Sequence, residues 1–406
     1  MNNRQLIVTL ISDQTLPNVL MIKEYATEQT DYAFVSTKTM NDNGIPQRIQ
    51  NACKLKAIQY TYEVDENSQP DVINKLSADR GELEKYDNII VNLTGGTKAM
   101  SLAVFSFFEN MSNAKLLYKP THNYFINFRT NEKIEIHTQL TIDEYLTAYG
   151  ITSQRETPSG ISTEQTDIVY QNFINIKNLN DFVNEFLFLR EKRGAKRENN
   201  KKITAEEYSH VEPFINALQY QPTIHNQLNK SEIIYLTGGW FEEWVKQHIE
   251  KELNLSSDYI SGGIKINSDN PRSKWKNDIK AIIGQEPNKD EVPNEIDVVI
   301  MFENTLYTIE CKSSLISSEV DSNGQLVDKN ILNETIFKSD SLQQLFGLRP
   351  KTIIMTLTDI KAEIEKAPNQ KGRFENALKR ANLSNIKVVD LQQILNNENS
   401  IFNIIK

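Results

Sequence analysis

Asp297, Glu310 and Lys312 have the types and the spacing for phosphodiester chemistry. They lie in the stretch EIDVVIMFENTLYTIECKSS (295–314), where the apolar runs Val298–Phe302 and Leu306–Ile309 flank the polar pair Glu303-Asn304. That pattern predicts a β-hairpin with a tight turn. Symmetry about the pair sets Phe302 opposite Thr305 and Asp297 opposite Glu310. Opposed residues share a sheet face with Cβ atoms about 4.5–5.5 Å apart, and strand alternation adds Lys312 to that face while Cys311 turns away. Two carboxylates held face to face repel unless a cation compensates them. A divalent ion, Mg2+ or Mn2+, takes one or two carboxylates plus water and substrate phosphate, and a lysine beside it could orient or deprotonate an attacking water. The chemistry that follows is metal-assisted phosphodiester hydrolysis. A hairpin whose charges simply face solvent fits the same residues, and a one-residue slip of register would turn Asp297 to the other face.

The helical pattern ahead of the hairpin offers a third acid. On a wheel of about 100° per residue, Trp240, Phe241, Trp244, Val245, His248 and Ile249 of WFEEWVKQHIEKEL spread over one side. Glu242 falls at the edge of that side and Glu243 projects away from it. Glu242 is therefore the acid expected to reach the hairpin, with Glu243 solvated and His248 a core residue.

A second chemical feature is LTGGTKAM (93–100), which follows the strand-like NIIVNL and opens a helix. Gly95 and Gly96 permit close backbone approach and unusual φ, and a helix N-terminus offers free N–H groups and a positive dipole. Thr94, Thr97 and Lys98 add hydroxyls and a cation, so the turn reads as an anion cradle. It fits neither G-x-x-x-x-G-K-[ST] nor G-x-G-x-x-G, and a plain strand-to-helix turn is the alternative. The segment SDQTLPNVL (12–20) follows the first strand and would reach the same sheet edge, where Ser12, Gln14, Thr15 and Asn18 could read a base or ribose; Ser and Asp before a helix also serve as caps.

The elements that must position these residues alternate. LIVTLIS (6–12), YAFVST (32–37), AIQYTYEV (57–64) and NIIVNL (88–93) read as strands, with helical patterns between them and after the last. Strand–helix alternation with short connections predicts a parallel, doubly wound α/β sheet, which binds ligands at the carboxyl ends of its strands. AKLLYKP, NYFINF and KIEIHT add shorter strands. Residues 150–165 are rich in Ser, Thr, Gly and Pro and predict a boundary, so the expected organisation is 1–150 a doubly wound α/β domain, 151–230 linker and helical connector, and 231–406 a second α/β domain. Within the connector, EKRGAKRENNKK (191–202) is a basic run that reads as a solvated loop or a contact to a phosphate backbone. The 406 residues carry a net charge of −9, which gives no global field for nucleic acid but leaves room for a substrate cleft bridged by metal. Two cysteines give no disulfide framework, and the absence of a membrane-length apolar run or signal peptide predicts a cytoplasmic protein.

The helix acid, the aspartate opening a hairpin and the Glu310-Cys311-Lys312 that ends it resemble the PD-(D/E)xK restriction-endonuclease-like family. The Leu-Thr-Gly-Gly-Thr-Lys turn resembles the CARF domain, a Rossmann-like sensor of type III CRISPR systems. In this order the pair resembles the CARF–PD-(D/E)xK ancillary nucleases over essentially the whole chain. The resemblance implies a homodimer that binds a cyclic oligoadenylate, with the tetraadenylate ring favoured, and that then cleaves single-stranded DNA or RNA, or nicks duplex DNA, with Mn2+ or Mg2+. It implies Asp297, Glu310, Lys312 and Glu242 as catalytic, the three acids also as metal ligands. It implies Ser12, Gln14, Thr15, Asn18 and Thr94 through Lys98 (Gly95, Gly96 and Thr97 between them) as ligand contacts. Lys338 falls where relatives present a polar or basic residue. A ligand-independent repair or restriction nuclease and a ligand-binding transcription regulator are the alternatives; the second would need a basic helix-turn-helix where this chain has an acid-bearing hairpin.

Overall fold

The computed structural model describes residues 4–157, 159–176, 179–195, 202–268, 294–320, 326–347, 350–398 and 400–406. The first sheet is built from β1 (Gln5–Leu10), β2 (Thr30–Ser36), β3 (Tyr60–Glu63), β4 (Asn88–Asn92), β5 (Ala114–Tyr118), β6 (Tyr124–Asn127) and β7 (Lys133–Glu135), in the order β3-β2-β1-β4-β5-β6-β7. The first five pair in parallel, and β6 and β7 close the edge as an antiparallel meander. Every residue of β1 is buried, as expected of a parallel strand covered on both faces. Alternate side chains feed two cores. Leu6, Val8 and Leu10 pack with Val72 and Leu76 of α3 (Gln69–Ala78) and with Met100 and Val104 of α4 (Lys98–Phe108). Ile7 and Ile11 pack with Val19 of α1 (Leu16–Tyr25) and with Ile45 and Ile49 of α2 (Ile45–Cys53).

A short helix, α5 (Ile142–Ala148), joins this layer to the next. Thr141 and Glu144 start it with a reciprocal capping box. Its Ile142, Tyr145 and Leu146 belong to the core of the second sheet, together with Ile264, Val299 and Phe346. Asp258 accepts from the Ile142 N–H at 2.9 Å, and the Tyr145 hydroxyl donates to the Phe346 carbonyl at 2.7 Å.

The second sheet contains β8 (Ile151–Arg155), β9 (Ile260–Ser268), β10 (Asn294–Phe302), β11 (Thr305–Lys312), β14 (Lys351–Thr356) and β15 (Ile386–Val389), while β12 (Ile316–Val320) and β13 (Leu326–Asn330) form a separate ribbon. Its order is β15-β14-β11-β10-β9-β8. Residues 151–155, read from sequence as linker, are thus the edge strand of this sheet. Only Ile151 of that strand is buried, so it carries no apolar signal, and its place is fixed by backbone pairing to β9. Helices α6 (Thr163–Ile174), α7 (Val183–Gly194) and α8 (Trp240–Leu253) share one core with β10 and β11, through Tyr170, Leu189, Trp244, Val298 and Ile309. The connector is packed onto the second domain rather than strung between two. Residues 196–201 of the basic run lie outside the described residues. Beyond the hairpin, α9 (Leu332–Gln343) and α10 (Lys371–Leu383) cover the other face. Among the described residues no helix is long and apolar enough to cross a membrane.

Candidate functional site

The hairpin register is the symmetric one: Phe302 pairs with Thr305 and Val298 with Ile309, which leaves Asp297 level with Glu310. Glu303 and Asn304 both adopt positive φ, 48° and 57°, the requirement of a two-residue type I′ turn. Asp297 and Glu310 are each only 6% exposed. Asp297 Oδ2 accepts from the Cys311 N–H at 2.7 Å and lies 3.5 Å from Lys312 Nζ. Glu310 accepts from Lys312 Nζ at 2.7 Å and, with both oxygens, from Lys338 Nζ of α9 at 2.8 and 2.9 Å. Cys311 points into the opposite core, where burial pushes its thiol up.

The electrostatics are those of carboxylates crowded out of water. Burial, then the charge of Glu310, raises Asp297 to about 6, against the pull of the two lysines and of the Cys311 N–H. Burial, then the charge of Asp297, raises Glu242 to about 8, with Lys312 and Arg193 opposing. Burial alone would lower Lys312, but the Asp297 and Glu310 carboxylates outweigh it and hold the ammonium above its ordinary value. Lys312 is therefore a firmly charged group that can neutralise and orient, not take a proton, in this arrangement. Glu243 faces elsewhere, accepting from the N–H and hydroxyl of Ser159 at 3.2 and 2.9 Å. His248 lies against Trp244, ring centroids 4.1 Å apart and planes tilted by 34°, and sits at hydrogen-bond distance from its carbonyl.

A divalent cation fits this donor set in one form only. Asp297 and Glu310 are hard oxygen donors whose mutual repulsion a cation relieves, and two carboxylates plus water and substrate phosphate satisfy Mg2+ or Mn2+. Among the described residues no group of three or more acidic, histidine or cysteine side chains is placed to hold a metal. The expected three-acid set of Asp297, Glu310 and Glu242 is therefore not brought together, and both Glu310 oxygens accept from Lys338.

At the first sheet the strand order reverses between β1 and β4, and a cavity of about 570 Å³ opens at their carboxyl ends. Ser12, Gln14, Thr94, Gly95, Gly96 and Thr97, six of the expected ligand contacts, line it. Gly95 has φ 110°, and a Cβ there would stand 2.7 Å from the Leu10 carbonyl oxygen, so only glycine lets the two loops meet. Thr97 caps α4 through the Met100 N–H. Three predicted contacts are not in the cavity. Lys98 is exposed and absent from its lining. Thr15, 1% exposed, donates to the Ala148 carbonyl at 2.8 Å. Asn18 is fully buried, accepting from Thr9 and Asn92 at 2.7 and 2.8 Å and donating to the Leu10 carbonyl at 3.0 Å. Asn92 in turn accepts from the Thr94 N–H at 2.9 Å. Asn18 therefore ties the ends of β1 and β4 together from beneath, and Thr15 ties the first loop to the end of α5. Residues that sequence reasoning passed over are Lys119, 8% exposed at the end of β5, and Tyr149, just past α5. Lys119 was findable, since β5 of a parallel sheet must end at this same edge.

Residues 6–145 match the family model of the Card1 CARF domain. The N-terminal layer is thus a CARF domain, and the whole chain is a two-domain α/β protein. Among solved structures it is similar to Can2 from Sulfobacillus thermosulfidooxidans, in complex with cyclic tetra-adenylate, at 21% identity and TM-score 0.63 over 97% of each chain. It is also similar to protein VC1899 from Vibrio cholerae, at 14% identity and TM-score 0.67 over 97% of this chain and 95% of that one. A type III CRISPR defence DNA nuclease activated by cyclic oligoadenylate aligns at 12% identity and TM-score 0.52 over 86% of this chain and 45% of that one. At these identities the likeness is one of fold. No curated protein sequence matches the chain.

Proposed function

We propose that this protein is a cyclic-oligoadenylate-activated, metal-dependent nuclease of type III CRISPR defence that cuts single-stranded DNA or RNA. The observation that carries the reading is the convergence of Asp297, Glu310 and Lys312 on one buried hairpin face, in a chain whose CARF domain opens a cavity at its switch point. The likeness to Can2 supports cyclic tetraadenylate as the ligand, and the likeness to a cyclic-oligoadenylate-activated DNA nuclease supports the activity. In the cavity the Gly95-Gly96 backbone suits phosphate, while Ser12 and Gln14 suit a base or ribose edge; Lys119 in the wall gives its ammonium to the carbonyls of Pro120 and His122. In the hairpin, Asp297 and Glu310 would hold Mg2+ or Mn2+, which when bound supplies an activated water and neutralises phosphate charge. Lys312 steadies the phosphate and the attacking water as the phosphorus–oxygen bond to the leaving strand breaks.

A second copy of the chain completes the sensor in this reading. Phe128 is 52% exposed and packs edge-on against Tyr118 of the cavity wall, so exposed apolar surface adjoins the cavity. A two-fold cyclic ligand suits such an isologous interface. Regulation runs through α5 in the same reading. Tyr149 lines the cavity, Thr15 holds the Ala148 carbonyl, and Tyr145 holds Phe346 at the end of the segment that carries Lys338. A ligand that binds one setting of Tyr149 better than another can shift Lys338 against Glu310.

The test is cleavage of labelled single-stranded DNA and RNA with Mg2+ or Mn2+, with and without cyclic tetraadenylate. Cutting should depend on ring and metal, and Glu310→Gln or Lys312→Ala should abolish it while calorimetry finds ring affinity intact. Equal cutting without the ring would leave a ligand-independent nuclease and remove the sensor reading.

A further inference from the structure

One cation near the carboxylates is not committed to them. Arg193 ends α7, whose Leu189 is fully buried and whose Phe186 packs on Phe214, so the helix is fixed to the second domain's core. Its Nη1 donates to Thr237 Oγ1 at 3.1 Å, the only hydrogen bond of its guanidinium among the described residues. Thr237 belongs to the turn Tyr235–Gly239 that delivers Glu242 on α8. Gly238 in that turn has φ 143°, a Cβ built on it would meet nothing within 4 Å, and Arg193 itself is exposed. Among the described residues, Lys312 and Lys338 are occupied by Glu310, and Lys192 by Glu207.

A fork held by one N–H to a neutral hydroxyl keeps its remaining donors for an anion, and planar bidentate recognition of phosphate is what arginine does better than lysine. The chain as a whole, at net charge −9, repels nucleic acid, so a strand must be gripped locally where it meets the carboxylates. We propose that Arg193 binds a backbone phosphate of the nucleic-acid substrate beside Glu242, holding the strand so that the scissile phosphate meets Asp297, Glu310 and Lys312. This rests on the nuclease reading above and adds to it the connector helix as part of the substrate site.

The experiment uses the full chain with cyclic tetraadenylate and Mg2+. Binding of a fluorescent single-stranded oligonucleotide is followed by anisotropy in a Glu310→Gln background, for Arg193, Arg193→Lys and Arg193→Ala. Loss of one charge-assisted contact should weaken binding about ten-fold or more and flatten the slope of log K against log salt by about 0.7. Arg193→Lys should keep the salt slope and recover part of the affinity. In the cleavage-competent chain Arg193→Ala should act mainly through KM, with urea midpoints close to wild type. Equal affinity and equal salt slope in Arg193 and Arg193→Ala proteins would overturn the proposal while leaving the nuclease reading standing. A parent chain that neither binds nor cuts any strand would overturn both.

Discussion

Glu242→Gln should erase a pH dependence of stability that the carboxylate cluster imposes. The Glu242 carboxyl sits at about 8 in the folded chain against an ordinary 4.5, first through burial and then through the charge of Asp297. Between those two values the folded state binds more protons than the unfolded one, so stability is full below about pH 4.5 and is lost as pH rises through about 8. The shift is 8 − 4.5 = 3.5 units, and at 1.36 kcal/mol per unit its ceiling is about 5 kcal/mol. Glu242 and Asp297 titrate as a pair and retain some contact with solvent, which brings the expected loss to about 2–3 kcal/mol. Trp240 and Trp244 lie on the same helix and are 1% and 2% exposed, so their fluorescence reports unfolding of this domain. Urea titrations in EDTA from pH 5 to 8.5 should give wild type a falling midpoint and Glu242→Gln a flatter one. Mg2+ should restore part of the wild-type loss at pH 8.5. Parallel pH profiles for the two proteins, with no response to metal, would refute the electrostatic reading of the cluster.

Gly95→Ala should cost ring affinity ten-fold or more by calorimetry, since its methyl would lie 2.7 Å from the Leu10 carbonyl oxygen at a φ reserved for glycine. Lys98→Ala, exposed and outside the cavity lining, should leave that affinity within two-fold, and a large loss there would move the ligand towards the N-terminus of α4. Tyr145→Phe takes a 2.7 Å donor from the buried Phe346 carbonyl, at a cost of about 1–3 kcal/mol. It should keep ring affinity but reduce stimulation of cleavage several-fold; full stimulation would exclude α5 as the route between the domains.

The parts of the fold that were legible in the sequence are those where periodicity and turn chemistry agree. The hairpin register followed from a polar pair between two apolar runs, whereas Glu243, expected to be solvated, is drawn into bonds with Ser159 and its carboxyl is raised by burial. The parts that were not legible are polar residues whose type states a bonding capacity and not a direction. Asn18 and Thr15 could have faced a ligand; burial turned them inward to tie loops together, and the same burial hid Asn92. The pairing of Lys338 with Glu310 depends on how α9 crosses the sheet, which no local pattern encodes. Helix α5 is too short for its periodicity to stand out, although Thr141 and Glu144 spell a capping box that would have marked its start.

The same burial argument gives the hairpin turn a second role. With both turn residues at positive φ, the direction of the Asn304 side chain is set by the turn itself, and it runs into the CARF domain. There its Nδ2 donates to Asn123 Oδ1 and the Thr138 carbonyl at 3.0 and 2.8 Å, and its Oδ1 accepts from the Leu140 N–H at 2.9 Å. Residues 138–140 lead directly into α5, and Asn304 is only 7% exposed, so these bonds have little competition from water. A displacement of that segment would therefore pull on the strand pair that carries Asp297 and Glu310 from its turn end, and Tyr145 of α5 is bonded to the Phe346 carbonyl just past α9.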